Sequence, residues 1–423
     1  MADEFVPLKA AYLRSHFPDN AVYKEVKDAL LASQTIVCDG IYFKADNLSW
    51  RNFDDQHRRG KCLGYKLGPR WHGVRHERVT VTTRALVKSM IKVNRKRQTE
   101  IKLPTHRHIW DCLQGITIDH AAAMHEVDAL MADARPDQID GYLWQSVLCD
   151  GIRDKDWLWQ VCPFGRVYNN VTGLKKSLRR HLRAQNQSLV GCDVANCQPL
   201  LVGLLCRHMK RGKPGINLCN FMQTTQIDPF LCWDQEFLNR LAINSPQNQE
   251  EEEGGGAQTS LYDVVFTESS QDLPGDLERY ISLCEEGRFH DELMLQDDKP
   301  TDRETFKKQV FTQVFYGENF YRGKLTRLFA DQFPTVWETI QAIKREDFKR
   351  LSHHMLRLEA EVVINRAVRR CALEGIWVVT IHDCLVTFPV YAERVREIMA
   401  EAFGSVGAKP TIKVTALDQD GSR

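Results

Sequence analysis

The pattern of apolar and polar positions predicts a mainly helical chain with a few short strands. Apolar residues recur at helical spacing in several segments, and each segment ends at a glycine, a proline or a polar cluster. Runs of Val, Ile, Thr and aromatic residues predict strands elsewhere. The pattern therefore predicts an α+β fold. The predicted helices cover residues 83–98, 120–134, 277–287, 354–373 and 391–403.

A charged pair interrupts one apolar run near the end of the chain. Residues 376–381 and 385–388 predict two short strands, and His382 and Asp383 stand between them. An ionised carboxylate between half-buried strands is costly unless it is paired or binds a metal. Asp383 is therefore a candidate metal ligand at a hairpin turn. The alternative is a turn aspartate held by local hydrogen bonds.

A second carboxylate follows another short predicted strand. The strand ends at Asp193, and a helix is predicted to begin near Gln198 or Pro199. In isolation, Asp193 or Asn196 would be explained as the cap of that helix. Together with Asp383, however, Asp193 forms a pair of strand-end acids. Such pairs can bind two Mg²⁺ ions about 3.5–4 Å apart, which activate an attacking hydroxyl and stabilise a leaving pyrophosphate.

The segment 301–316 predicts an amphipathic helix with cations and aromatic residues. It contains no glycine or proline, carries Asp302 near its start and stops at Gly317. Cations suit a triphosphate, and aromatic residues suit a base or sugar. An ordinary surface helix with a buried aromatic stripe is the alternative. The residues concerned are Arg303, Lys307, Lys308, Phe311, Phe315 and Tyr316.

Four segments in this order resemble the palm of the right-handed nucleic-acid polymerases, which include family A DNA polymerases and phage-type single-subunit RNA polymerases. The sequence Phe-Gly-Arg-Val-Tyr around Arg166 is similar to the Gly-Arg motif that precedes the first catalytic carboxylate. Asp193 takes the place of the motif A aspartate, residues 303–317 are similar to motif B, and His382-Asp383 to motif C. The resemblance covers the chain from about residue 161 onwards and leaves the preceding part unexplained.

The resemblance implies a right-hand polymerase with an antiparallel palm sheet, helical fingers and a basic, mostly helical N-terminal region. An acidic, glycine-rich linker at 245–259 is expected to be disordered. No segment is left for an exonuclease domain. The implied organisation is a thumb-like or template-binding region at 1–155, palm with the Gly-Arg motif and motif A at 156–215, fingers with motif B at 216–350, and palm with motif C at 351–423.

The resemblance also implies a metal site and a reaction. Asp193, Asp383 and the backbone carbonyl of Val194 are expected to bind two Mg²⁺ ions, for which Mn²⁺ can substitute. The expected reaction is template-directed nucleotidyl transfer from nucleoside triphosphates to a primer-template nucleic acid. Lys308, with Arg303 assisting, is expected to neutralise the triphosphate.

Other residues receive roles from the same resemblance. Tyr316 is expected to pack beside the sugar or the template base, and His382 to position the primer terminus. Arg166 and Arg357 are expected to contact nucleic acid, although a solvated charge is the alternative for Arg357. The expected nucleotide-binding set is Arg303, Lys307, Lys308, Phe311, Tyr316, Gly317 and Gln198.

Two registers of motif B are open. Counting back from Tyr316 assigns the triphosphate lysine to Lys308. Counting forward from Arg303 assigns it to Lys307 and includes Phe311, but leaves Tyr316 one residue late. Because the first register retains the tyrosine, we prefer Lys308 with Tyr316.

The sugar of the product is also open. Family A DNA polymerases usually have a glutamate five residues after the motif A aspartate, where it blocks a ribose 2′-hydroxyl, whereas phage-type RNA polymerases have a glycine. This chain has Gln198, which is as long as glutamate. A DNA polymerase is therefore preferred. The alternatives are an RNA polymerase or primase-like enzyme, which the Gly-Arg-Val-Tyr sequence favours, and a non-catalytic nucleic-acid-binding replication or defence factor.

Positive charge is concentrated in two segments although the net charge is only +1. Residues 58–107 contain fifteen Lys or Arg against two Glu, with aromatic residues and histidines interleaved. This density predicts phosphate binding, and a solvated face is the alternative. A second cluster, predicted to lie on one helix, consists of Lys175, Lys176, Arg179, Arg180 and Arg183.

Composition excludes several other classes. No apolar run reaches the 18 or so residues of a membrane span, and the N-terminus lacks the pattern of a signal peptide. We therefore expect a cytoplasmic protein without a membrane partner. The thirteen cysteines form no paired C-x-x-C pattern and are expected to be reduced core residues rather than zinc ligands. The sequence does not predict an oligomeric state.

Overall fold

The computed structural model describes residues 5–42, 62–75, 79–98, 101, 103–211, 273–297, 302–318, 323–345 and 347–418. The predicted linker at 245–259 and part of the basic segment at 58–107 lie outside these residues. The described chain is α+β and mainly helical, which confirms the predicted class. It forms two compact units, one of Met1–Ile101, Thr117–Gln160 and Asn169–Leu182, and one of Lys102–Ile116, Val161–Tyr168 and Arg183–Arg423.

The strands are short. In chain order they are β1 (Val6–Pro7), β2 (Ile36–Cys38), β3 (Gly64–Leu67), β4 (Ile116–Ile118), β5 (Trp159–Val161), β6 (Val167–Asn169), β7 (Leu182–Ala184), β8 (Val190–Val194), β9 (Val379–Ile381), β10 (Cys384–Thr387) and β11 (Ile412–Ala416).

The helices account for most of the described residues. They are α1 (Ala10–Arg14), α2 (Asn20–Ala32), α3 (Arg84–Gln98), α4 (Pro104–Gln114), α5 (His120–Ala132), α6 (Pro136–Arg153), α7 (Asn170–Gly173), α8 (Cys197–Arg211), α9 (Gly275–Glu285), α10 (Phe289–Leu295), α11 (Arg303–Val310), α12 (Lys324–Gln332), α13 (Pro334–Lys344), α14 (Arg350–Glu359), α15 (Arg369–Leu373) and α16 (Ala392–Gly404). Two π-helical stretches, Phe311–Phe315 and Ala360–Val368, continue α11 and α14.

The first unit contains a small sheet and a helical part. Its antiparallel sheet has the order β1-β3-β2, with Val6 opposite Tyr65 and Ile36 opposite Leu67. In the helical part, α5 packs against α6 and against the 3₁₀ turn Ser177–His181.

The second unit is built around an antiparallel sheet of the order β11-β8-β10-β9. Leu385 lies opposite Cys192, and Ile381 lies opposite Cys384 across the hairpin of β9 and β10. Helix α16 packs against β8, β10 and β11, where Val395 and Met399 are fully buried. Burial of these apolar side chains is what holds a helix of this kind on a sheet.

A second core of the same unit is aromatic. Tyr280 and Phe289 from α9 and α10 meet Phe329 and Phe333 from α12 and its C-terminal end, with ring centroids 5.1–6.3 Å apart. Phe315 completes the cluster. Large buried rings contribute both area and edge-to-face contacts. This cluster fixes the helices that precede and follow the segment similar to motif B.

Several predicted elements are confirmed within one to four residues, namely the hairpin of β9 and β10 and helices α3, α5, α9 and α16. The four cysteines expected in the core, Cys192, Cys197, Cys206 and Cys371, are buried and free. Among the described helices, none is long and apolar enough to cross a membrane.

The helix predicted for the second basic cluster is wrong. Lys175 and Lys176 precede a short 3₁₀ turn, and Arg183 lies on a strand. Leu174, Leu178 and Leu182 are all buried, and their spacing of four residues imitates a helical face. The chain instead becomes extended at Leu182, where β7 begins.

Candidate functional site

The sheet of the second unit brings the two predicted aspartates together. Asp193 is the residue after Cys192 on β8, and Asp383 lies in the turn two residues before Leu385 on β10. Because Cys192 and Leu385 are opposite each other, both aspartates lie at the same end of this strand pair. Asp193 is exposed and Asp383 is half-buried. Both line one cavity of about 340 Å³.

Two non-glycine residues beside these aspartates have left-handed backbone. His382 has φ +57° in the hairpin turn, and Asn196 has φ +55° immediately before α8. This conformation is unfavourable for residues with a Cβ and is found where the surrounding structure imposes it, often at functional sites. The His382 ring lies edge-on to Tyr168 at 5.7 Å. The residue before Asp383 is thus packed against Tyr168.

The segment similar to motif B supplies a second part of the cavity wall, called the helix wall. Arg303, Lys307 and Phe311 are four residues apart, which places them on one face of a helix. Tyr316 lies five residues after Phe311, yet it lines the same cavity. The reason is the π-helical stretch, in which the Tyr316 amide donates to the Phe311 carbonyl at 2.8 Å. A π turn contains one residue more than an α-helical turn, so Tyr316 can follow Phe311 by five residues and still line the same cavity.

This geometry revises the preferred register. Both lysine side chains are exposed, but Lys307 lines the cavity together with Tyr316, whereas Lys308 does not. With α-helical spacing throughout, the register that includes Lys307 leaves Tyr316 one residue late. The π turn accommodates that extra residue, so Arg303, Lys307 and Tyr316 can belong to one register. Arg303 also pairs with Asp291 at 2.6 Å. Gly317, a predicted member of the nucleotide site, closes the turn behind Tyr316.

A chain of polar contacts crosses the cavity wall. The Tyr316 hydroxyl donates to the side-chain oxygen of Gln198. The Gln198 amide nitrogen donates to the Glu359 carboxylate at 3.4 Å, and the Arg166 guanidinium donates to the same carboxylate oxygen. Burial raises the pKa of Tyr316 to about 12, so its hydroxyl keeps the proton that it donates.

The Gly-Arg motif is explained by this contact chain. Gly165 has φ +89°, and a Cβ at this position would lie 3.0 Å from the Cβ of Ala360. Glycine thus permits close approach to the helix that carries Glu359. Arg166 consequently reaches Glu359, which is only 1% exposed. Arg166 thus lies in a mostly buried ion pair and also lines the cavity.

Two residues of the site, His290 and Lys413, were not found by sequence reasoning. His290 lines the cavity, is 1% exposed, and neither of its ring nitrogens has a hydrogen-bond partner among the described residues. Lys413 lines the cavity from β11, directly opposite Asp193. Burial, with Lys307 and Arg303 next, lowers the pKa of His290 to about 3.

The donor set fits a divalent cation. Burial, together with the nearby carboxylates of Glu359 and Asp193, raises the pKa of Asp383 to about 8. Like charges held this close favour a bound cation. Among the described residues, no three His, Cys, Asp or Glu side chains group as a metal site. The protein ligands would therefore be Asp193, Asp383 and the Val194 carbonyl, and Mg²⁺ commonly takes its other ligands from water and phosphate.

The remaining predicted nucleic-acid residues lie outside this cavity. Arg357 lies over the Phe164 ring at 5.5 Å, and that ring stacks on His353 at 4.4 Å. In the first unit, Lys175 lies 3.8 Å from the Tyr142 ring centroid, and Arg180 pairs with Glu126 at 2.8 Å. Arg179 donates to the Leu174 carbonyl, and Lys176 precedes the 3₁₀ turn.

Comparison with known proteins adds no family to these observations. The chain matches no family model, and no curated protein matches it. The function is therefore inferred from the chemistry of the cavity.

Proposed function

We propose that this protein is a template-directed nucleotidyltransferase, and most specifically a DNA-directed DNA polymerase without an exonuclease domain. One observation carries the proposal. A single cavity is lined both by Asp193 and Asp383 and by Arg303, Lys307 and Tyr316. Paired carboxylates and a cationic, aromatic helix face are together what transfer of a nucleotide from a triphosphate requires.

The two aspartates would hold Mg²⁺ with the Val194 carbonyl. When bound, Mg²⁺ supplies a Lewis acid that activates the primer hydroxyl and stabilises the departing pyrophosphate. The residues contribute by position. The hairpin turn fixes Asp383 and the end of β8 fixes Asp193, so neither carboxylate has to move before reaction.

Arg303 and Lys307 neutralise the triphosphate in this proposal. They extend from successive turns of α11 and line the cavity. His290 adds a neutral imidazole beside them, with ring nitrogens available for a phosphate or sugar oxygen. Lys413 places a further cation next to Asp193. Cations fixed around a developing negative charge are the main catalytic resource of phosphoryl transfer.

The contacts of Gln198 favour a deoxyribonucleotide. Its side-chain amide is held at both ends, by the Tyr316 hydroxyl and by the Glu359 carboxylate. An anchored side chain of this length can exclude a ribose 2′-hydroxyl, whereas a mobile one would move aside. We therefore assign Gln198 as the residue that selects the sugar.

The same proposal gives the second unit the palm and fingers roles. The four-stranded sheet carries both aspartates, as a palm does, and α11 with its π turn carries the triphosphate residues, as fingers do. The N-terminal basic segment is proposed to contact template or primer phosphates.

Single-nucleotide addition to a primed DNA template tests the proposal. We expect extension with dNTPs in Mg²⁺, and in Mn²⁺, but not in EDTA. Extension with NTPs but not with dNTPs would show that the protein is an RNA polymerase or primase-like enzyme instead of a DNA polymerase. Template binding without extension by either nucleotide pool would indicate a non-catalytic nucleic-acid-binding factor and contradict the proposal.

A further inference from the structure

A buried lysine closes the end of the π-helical stretch. Lys344, the last residue of α13, is 2% exposed. Its ammonium group donates to the Val314 carbonyl at 2.7 Å and to the Gly317 carbonyl at 2.9 Å. Carbonyls at the end of a helix lack partners within that helix. Lys344 supplies these partners from a different element, and burial lowers its pKa to about 8.

Gly317 is required by the same turn. A Cβ at this position would lie 2.7 Å from the Thr312 carbonyl oxygen and 3.0 Å from that of Gln313. Both atoms belong to the backbone of the π turn, so they cannot move aside as a flexible side chain would. The chain therefore folds closely over the turn only because residue 317 is glycine.

The π turn decides which way Tyr316 points. In an uninterrupted α-helix, successive residues differ by about 100°, and residue 316 would leave the face that carries Arg303 and Lys307. With the π turn, Tyr316 lines the cavity and its ring lies 5.5 Å from that of Phe311. The π geometry is uncommon and persists where other contacts support it.

We infer that Lys344 is a positioning residue for sugar selection, because it holds the π turn that directs Tyr316 to Gln198. The structural half of this inference is independent of any activity. The functional half rests on the proposed polymerase function. It predicts that loss of the Lys344 contacts weakens discrimination between dNTPs and NTPs although Lys344 touches neither.

Hydrogen–deuterium exchange tests the structural half. Lys344→Met keeps the length of the side chain and removes its donors. We expect amide exchange in residues 311–318 to become about tenfold faster or more, because a buried hydrogen bond to a charged group is lost. Lys349→Met, which removes an exposed lysine of the next segment, is the matched control and should leave this exchange unchanged. Unchanged exchange in Lys344→Met would overturn the inference.

A second variant protects the test against misfolding. Gly317→Ala forces the turn open without removing any donor, and we expect it to accelerate exchange over the same residues. If Lys344→Met does not fold, Lys344→Gln, whose side chain is too short to reach both carbonyls, takes its place in the exchange measurement. Normal exchange of residues 311–318 in Lys344→Gln would overturn the structural half.

Steady-state incorporation tests the functional half. We expect Lys344→Met to lower the ratio of kcat/KM for dNTP to that for NTP by about tenfold, within the range that one steric contact contributes. Deleting Thr312, an exposed residue of the turn, restores α-helical spacing between Phe311 and Tyr316. In that background Lys344→Met should change the ratio less than in the wild type.

The two halves fail separately. Faster exchange with an unaltered sugar ratio would overturn the role in selection and leave the polymerase proposal standing. An equal effect of Lys344→Met with and without Thr312 would overturn the role of the π turn. A wild-type protein that adds no nucleotide rejects the proposed function, and exchange alone then decides whether Lys344 holds the turn.

Discussion

The two walls of the cavity differ in how their residues are positioned. In the aspartate wall each residue is placed by its own short element, because Asp383 lies in a tight turn between two strands and Asp193 lies near the end of β8, and the pairing of β8 with β10 brings the two together. The helix wall depends in addition on a distant side chain, because Lys344 donates to carbonyls 27 and 30 residues earlier. Local pattern thus identifies the elements that carry the aspartates, whereas the direction of the helix wall depends on a tertiary side-chain contact.

This difference explains which parts of the site could be read from sequence. Two runs rich in Val, Ile, Thr and aromatic residues with a short turn between them predict a hairpin, and they place Asp383 correctly. A helical pattern predicts the segment 301–316 but assumes 3.6 residues per turn throughout. The π turn breaks that assumption at Phe311, so Lys308 was preferred to Lys307. Nothing in the local sequence indicates the buried amine of Lys344.

The largest effect is expected on the aspartate wall. Asp193→Asn and Asp383→Asn should each reduce nucleotide addition by about 10³-fold or more, because each removes a charged ligand from the site of metal catalysis. Binding of primed DNA should be largely retained. Pre-steady-state single-nucleotide addition measures the first quantity and a filter-binding titration the second.

A stability measurement controls that experiment. Burial and the nearby carboxylates raise the pKa of Asp383, so the amide variant should unfold at a temperature no lower than the wild type without Mg²⁺. Near-wild-type nucleotide addition by either stable variant would eliminate the two-aspartate site.

The helix wall is tested by comparing adjacent lysines. Lys307→Ala should reduce kcat/KM for dNTP by about 10- to 100-fold, as expected for loss of a charged contact to phosphate. Lys308→Ala should change it by less than about threefold, since Lys308 does not line the cavity and a surface charge away from the site makes a small contribution. Equal effects, or a larger effect at Lys308, would restore the α-helical register.

Sugar selection should respond at Gln198. Gln198→Ala opens space beside the 2′-carbon and should lower the preference for dNTP over NTP by about 10- to 200-fold. Gln198→Glu keeps the length and is the matched control, with the preference largely retained. A wild-type preference for NTPs that Gln198→Ala leaves unaltered would reject the assignment to DNA synthesis.

Other residues of the site could not have been predicted, because only their contacts in the folded structure show that they belong to it. Glu359 is one of several charges on a helix, and only the folded structure shows that it accepts hydrogen bonds from both Arg166 and Gln198. His290 becomes notable because its ring is buried without hydrogen-bond partners among the described residues. Lys413 is recognised as part of the site because it lies opposite Asp193 in the pairing of β11 with β8.

The smallest effect is expected from the pH dependence of Lys344. Its pKa in the folded protein is lowered to about 8 from 10.5, so the unfolded chain binds more protons between these values. Stability then rises with pH across that window. The unfolding temperature of the wild type should therefore rise relative to that of Lys344→Met from about pH 8 to about pH 10.5. Parallel curves would show that Lys344 is not buried as described.

The most direct measurement asks whether both walls bind one nucleotide. It is the equilibrium affinity of a dNTP, with Mg²⁺, for the complex with a dideoxy-terminated primer-template. We predict tight, Mg²⁺-dependent binding that is weakened about tenfold or more by Asp383→Asn and by Lys307→Ala. The same binding should be insensitive to Lys308→Ala. Affinity that neither Asp383→Asn nor Lys307→Ala alters would contradict a shared nucleotide site.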